Sequence, residues 1–358
     1  MSSNLSYFNY FSTPRFLNHA FNLTTCLQIP IHILGAYCIL CKTPDSMKSV
    51  KWSMFNLHFW SVLLDLKITF LISPFVLFPA FAGFPLGVLK YTGISIDVQT
   101  YLILISYSAL GSSILTLFEN RYFLMFAKHS SWRNYRHPFL IINYIISSVY
   151  AMPAFLTIPD QKQAVAKVLN TLPNVSKEIR NAPIFVLATD FRLLVITVSL
   201  VAVLLVGESL FFVKLLFFNM RKRTRRMATS QYTLNLQRKF LRAIYIQVSA
   251  PFLLLSAPVA YLFTTIYFNF YHQVANNFCS LLLAVHGSSS SIFLILIHKS
   301  YRKVVWDLLK FDIFTRKNNQ VSSFVVSRNS VAIDRRKKIE NDSSWKRLIS
   351  VFNRTIRV

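Results

Sequence analysis

The chain has 358 residues, of which 54% are hydrophobic and 15% charged; its mean hydropathy is +0.44 and its formal net charge +26. Soluble domains carry about a quarter of their residues as charges, so this composition, with its long apolar runs, excludes an ordinary water-soluble globule and points to lipid as the main solvent. The Lys and Arg residues sit in short loops and one tail rather than on one folded face, which argues against a nucleic-acid-binding domain.

The first twenty residues have no basic segment leading into an apolar core, so no cleaved signal peptide is expected and the first apolar run directs insertion itself. A helix needs about 20 mostly apolar residues to cross the bilayer core. Runs of that kind are predicted at Phe21–Cys41, Met54–Ala80, Gln99–Phe126, Phe139–Pro159, Phe191–Asn219, Phe240–Phe268 and Val274–Ile297. Pro153 and Pro159 break the fourth near its end. Directly after the seventh, Tyr301, Val304, Val305, Leu308 and Leu309 fall on one helical face, predicting a short amphipathic helix along the membrane surface. The expected organisation is an N-terminal segment 1–20, a seven-span bundle 21–298, the surface helix 299–310 and a basic tail 311–358. Within the tail, Trp345, Leu348, Ile349 and Phe352 recur at helical spacing among Lys and Arg, as in a segment bound to the anionic inner leaflet or in a solvated disordered end.

Charge sets the expected orientation. Lys42, Lys48, Lys51, Lys128, Arg133, Arg136, the Arg221–Arg242 loop and the tail share one side; Arg15, Lys90, Lys162, Lys167, Lys177 and Arg180 fall on the other. The richer side is cytoplasmic by the positive-inside rule, so the N-terminus lies outside and the C-terminus inside. Asn4 and Asn174 begin N-x-S/T sequons on the outer side and are the expected glycosylation positions; Asn22 lies close to the membrane, and Asn341 and Asn353 match on the inner side.

Cys26, Cys38, Cys41 and Cys279 lie in or near apolar runs, so neither a disulfide framework nor zinc-ligand spacing is read from them. No Walker A, dinucleotide, G-x-S-x-G or H-E-x-x-H pattern occurs. An enzyme is therefore not expected, and no cofactor or metal is implied.

Ionisable groups within spans need an explanation. Asp65 and Lys67 share the second span but stand about 200° apart on a helix, so each needs a partner elsewhere. Asp65, with His58 and His286, is read as an intramembrane polar hub or a structural hydrogen-bond anchor. Glu119 and Arg121 end the third span; the acid–x–Arg pattern resembles the D/E-R-Y switch of G-protein-coupled receptors with one residue inserted, and Arg121 is expected to pair with Glu119 or to swing towards a partner's backbone carbonyls. Arg221, Arg225, Arg226 and Arg242 rim the same side as candidates for G-protein contact. Glu208, deep in the fifth span, faces either a ligand cavity or a neighbouring helix. Pro251 and Pro258 are candidate hinges of the sixth span.

Several strings in order resemble the nematode serpentine chemoreceptors of class H (Srh). They are Thr43 to Lys48 with Trp52, Asn56 to Ser61 with Asp65, Phe118 to Tyr122, Phe185 to Asp190, Gln247 to Pro251, and His286-Gly287 through His298 to Arg302. The resemblance implies an all-α, seven-transmembrane, G-protein-coupled chemoreceptor at the plasma membrane of sensory-neuron cilia. It would bind a small-molecule ligand in the outer half of its bundle and act on a heterotrimeric G protein, with membrane lipids as its other partners. Ser300 stands where that family commonly has Pro, and neither N-P-x-x-Y nor the cysteine pair of rhodopsin-like receptors occurs. The competing classes are a ligand-gated cation channel of the insect-olfactory type, which has the opposite orientation, and a small-molecule transporter, for which internal repeats are expected.

Overall fold

The computed structural model describes residues 10–172, 175–225 and 256–308, together with residues 238, 242, 245, 246, 249, 253 and 310. The chain divides into two units, Met1–Tyr301 and Arg302–Val358. In the second, residues 302–308 are helical. The predicted amphipathic segment around Trp345 lies outside the described residues.

Helix α1 (Pro14–Cys41) starts ahead of the apolar run predicted from Phe21, at a capping signal. Thr13 accepts a hydrogen bond from Phe16 N (3.2 Å), and Pro14, which has no N–H to leave unpaired, takes the first helical position. Helix α2 (Lys51–Leu66) continues through a π-helical turn, Lys67–Leu71. The third span is α3 (Ile96–Tyr122) and ends in a second π-helical turn, Phe123–Ala127. The fourth is α4 (Trp132–Val149) with a short appended helix α5 (Met152–Leu156). Helices α6 (Gln161–Thr171) and α7 (Lys177–Arg180) lie in the following loop, and α8 (Arg192–Arg225) is the fifth span. Residues 256–267 are a helical part of the sixth span. The seventh is two helices, α9 (Gln273–Ala284) and α10 (His286–Ile297), broken at Val285.

Among the described residues five helical stretches are long and apolar enough to cross a membrane. The second span is diluted by Asn56, His58, Asp65 and Lys67, and most of the sixth lies outside the described residues. Helix α3 packs against α2, α4 and α8, while α10 packs against α1 and α2.

Two spans are shorter than their apolar runs. The second ends at Leu71 rather than Ala80, because Pro74, Pro79 and Pro85 withhold backbone donors that a helix needs. The apolar residues beyond it enter a sheet instead. Strands β1 (Pro74–Val76), β2 (Ala82–Pro85) and β3 (Phe185–Val186) pair antiparallel in that order, with Phe75 opposite Phe84 and Gly83 opposite Phe185. The fourth span runs from Trp132 and breaks after Val149, before Pro153.

Side chains stand in for the missing strands at both edges of this sheet. Gln161 accepts from Val186 N (2.9 Å) and donates to Val186 O (3.1 Å). Gln273 donates to Val76 O (3.1 Å) and Asn276 to Phe78 O (3.0 Å). Unpaired strand edges are thereby closed. We call this the sheet end of the bundle, and the opposite end, bearing Lys42, Lys48, Lys128 and Arg133, the basic end.

Lipid tails are as apolar as leucine, so burial of hydrocarbon does not by itself hold spans together. Close packing and hydrogen bonds of about 0.6 kcal/mol each do that. The buried set fits this rule: besides Leu and Phe it includes Gln28, His32, His58, Ser61, Ser106, Ser112, Asn143 and Ser291. Ser112 and Ser147, for example, join α3 to α4 at 2.8 Å.

Candidate functional site: two buried carboxylates and a buried lysine

The first site is built around a helix end. The opening N–H groups of any helix lack a carbonyl four residues back, and hydrocarbon offers no water to replace it. At Val285 (φ −96°, ψ 1°) the seventh span breaks, so α10 begins inside the bundle with such orphan donors. Asp65 of α2, fully buried, satisfies them: Gly287 N donates to Oδ1 (3.2 Å) and Ser288 N to Oδ2 (2.8 Å). His286 Nδ1 lies 3.1 Å from Oδ1, and His32 Nε2 of α1 lies 3.2 Å from Oδ2. A carboxylate at a helix N-terminus also meets the positive end of the helix dipole. Four nitrogens and a dipole thus stabilise a negative charge that would otherwise be very costly in the bilayer.

The packing leaves no slack. A Cβ on Gly287 would stand 2.7 Å from both Asp65 carboxylate oxygens, and one on Gly35 would stand 2.8 Å from His58 Cε1. His58 Nε2 lies 3.1 Å from His32 O, and Ser291 Oγ lies 3.2 Å from His32 Nδ1 and 3.4 Å from His58 Nδ1. Gln28 donates to Ala284 O and Ser288 Oγ, one turn further toward the sheet end. Asp65, His58 and His286 therefore share one cluster, joined by His32 and Gln28, which sequence reasoning missed. Their signal was two polar side chains four residues apart on one face of an otherwise apolar run.

Lys67 turns away from Asp65, as two residues on a helix must. Its Nζ donates to Ser106 Oγ (2.7 Å) and Leu102 O (3.3 Å) of α3.

At the basic end Glu119, one of the two partners expected for Arg121, is partnered from α4 rather than by that arginine. The two stand about 200° apart on α3 and do not face each other. Glu119, fully buried, instead accepts from Trp132 Nε1 (2.9 Å) and Arg136 Nη2 (3.0 Å), both on α4. Arg136 also reaches Asn120 Oδ1 (3.1 Å) and lies over the Phe123 ring at 3.9 Å. Asn120 in turn donates to Ser53 Oγ of α2 (2.7 Å). Arg121 is buried. Trp132 and Arg136 are one turn apart, and this i, i+4 spacing was the available clue.

The remaining sequence candidates are dispersed. Glu208 on α8 is half-buried. Pro258 is buried in the helical stretch 256–267. Arg221 is exposed near the end of α8, Arg225 closes that helix, and Arg242 is exposed. Asn4, Asn174, Arg226 and Pro251 lie outside the described residues.

Comparison with known proteins supplies the family. The family described as "Serpentine type 7TM GPCR chemoreceptor Srh" matches residues 12–311. Serpentine receptor class H-72 of Caenorhabditis elegans is 30% identical over 341 residues, covering 88% of this chain and 92% of its own. The crystal structure of squid rhodopsin shares the fold at a TM-score of 0.51 and 11% identity, over 85% of this chain and 86% of its own. The chain belongs to the Srh family of serpentine seven-transmembrane chemoreceptors and is a multi-pass membrane receptor of the G-protein-coupled type.

Proposed function

We propose that this receptor binds a small-molecule cue in the sheet-end half of its bundle and drives nucleotide exchange on a heterotrimeric G protein at the basic end. The observation that carries this reading is the seventh span, broken at Val285 and capped by Asp65 from the second. A broken helix has two halves that can tilt independently, and a buried polar clasp that joins spans one, two and seven gives them two discrete packings. A ligand that binds one packing more tightly shifts the population toward it. The sheet end faces outward and the basic end inward in this reading, which the distribution of Lys and Arg supports. Plasma membrane of sensory cilia is the proposed location, and catalysis has no part in the mechanism.

At the basic end, Glu119 with Trp132 and Arg136 fixes α3 against α4, and Arg121 beside it is the residue assigned to G-protein coupling. Arg221, Arg225, Arg226 and Arg242 extend the positive rim. The test is agonist-driven nucleotide exchange on purified G protein, with a panel of chemosensory compounds and receptor reconstituted in lipid discs. Arg121→Ala at matched receptor amount is expected to abolish exchange while leaving ligand binding in place. Full exchange by that variant would refute the coupling role.

A further inference from the structure

Among the described residues Asp65 is held at a helix end and Glu119 by Arg136, whereas Lys67 has neither an acidic partner nor a helix end. Its residue exposure is 9%, and both of its contacts are neutral oxygens on α3. Among the described residues no Asp or Glu lies within ion-pair distance of it: Asp45, Asp65, Glu119, Glu178 and Asp190 pair elsewhere. Asp65 in particular is two residues away on the far side of α2, with its oxygens taken by His32, His286, Gly287 and Ser288. An ammonium offers three N–H donors, of which neutral acceptors here take two. Neutral oxygens satisfy hydrogen bonds but do not balance charge in a low dielectric, where an unpaired cation at span depth is costly.

Its position fits a ligand better than a snorkelling role. Snorkelling lysines reach for the membrane surface, whereas Nζ of Lys67 points across the bundle to residues 102 and 106, one and a half to three turns inside α3 from its start at Ile96. A π-helical turn begins at Lys67 itself, an irregularity that concentrates at functional sites.

We propose that Lys67 is the anchor for an organic anion, a small carboxylic acid, whose carboxylate takes the third ammonium donor beside Leu102 O and Ser106 Oγ. The proposal rests on the reading of the sheet-end half as a small-molecule site and names its ligand class. Carboxylate–ammonium bonds are charge-assisted, so the acid is preferred over its own ester or alcohol by about 10- to 100-fold.

The experiment uses full-length receptor in lipid discs and measures thermal stabilisation by matched sets: linear and aromatic monocarboxylic acids, their methyl esters, the corresponding alcohols and the corresponding amines. Acids are expected to stabilise at concentrations 10- to 100-fold below their esters and alcohols, and amines not at all. Lys67→Met is expected to erase the preference for acids and Lys67→Arg to retain it within about tenfold. Should Lys67→Met fail to fold, the class comparison on the unaltered receptor and the Lys67→Arg variant still decide. Equal stabilisation by esters or amines, stabilisation by none of the acids, or an equal effect of chloride alone would overturn the proposal. Nucleotide exchange driven by a neutral compound would overturn it while leaving the receptor reading intact.

Discussion

Asp65 and Glu119 are both fully buried carboxylates, and the bundle treats them in opposite ways. Asp65 is bound by two backbone N–H groups of α10 and by imidazoles from α1 and α10, so three helices meet on one anion. Among the described residues Glu119 is bound by side chains, Trp132 and Arg136, both from one turn of α4. The first acid is part of the backbone's own hydrogen-bond accounting; without it a helix end hangs unsatisfied in lipid. The second is held by groups that a rotamer change can withdraw, and Arg136 retains 13% side-chain exposure at the basic end. The backbone-anchored acid ties three helices together at the break of the seventh span, whereas the side-chain-anchored acid joins α3 to α4 alone.

That contrast is open to direct attack. The largest effect is expected from Asp65→Ala, which strips four nitrogens of their acceptor at once. Removing one partner of a buried charged pair typically costs about 3–5 kcal/mol, so a large fall in melting temperature in detergent is expected; an unchanged melting curve would make the clasp ornamental. Arg136→Ala is expected to cost less, about 1.5–3 kcal/mol, the worth of a hydrogen bond to a charged group, and to change basal nucleotide exchange as well. If it were as destabilising as Asp65→Ala, the two acids would be equivalent and the contrast would fall. The smallest effect is expected from Arg15→Ala. Its pair with Glu178 (3.4 Å) leaves the arginine side chain 80% exposed, and such pairs are screened by solvent. No measurable change in melting is expected there, and a clear loss would show that the sheet end is more tightly built than its exposure indicates.

Much of the fold was legible because hydrocarbon is an exacting solvent. Apolar runs of span length located the first, third, fifth and seventh spans to within a few residues at most ends, the start of the first apart, as with Gln99–Phe126 against α3 and its π-helical turn. Where prolines interrupt an apolar run, hydrophobicity alone misleads. Residues 74–85 are as apolar as a span, yet Pro74, Pro79 and Pro85 turn them into a hairpin whose β1 side is closed by Gln273 and Asn276 from far along the chain. The break at Val285 carried no proline to announce it; it is stabilised by Asp65, 220 positions away.

The candidate site was half legible for the same reason. Polar residues in a span must be used, so Asp65, His58 and His286 stood out, but their partners are fixed by helix rotation. His32 was read as part of an apolar run because neighbouring Ile and Leu dominate it. Glu119 was offered as one partner for Arg121, two residues on, but the helix turns the two apart by about 200° and presents the acid to α4.

The clearest trial of the central claim, that Asp65 caps and clamps the broken seventh span, is a double-mutant cycle between Asp65→Ala and Gly287→Ala, read as melting free energy of the receptor in lipid discs. In the native background the added methyl meets the carboxylate oxygens at 2.7 Å, and overpacking of this kind costs about 1–3 kcal/mol. With Asp65 reduced to Ala the obstruction is gone, so Gly287→Ala is expected to have little further effect and the two changes to be strongly non-additive. Additive losses would mean that Asp65 and Gly287 do not touch, and the capped seventh span would have to be abandoned.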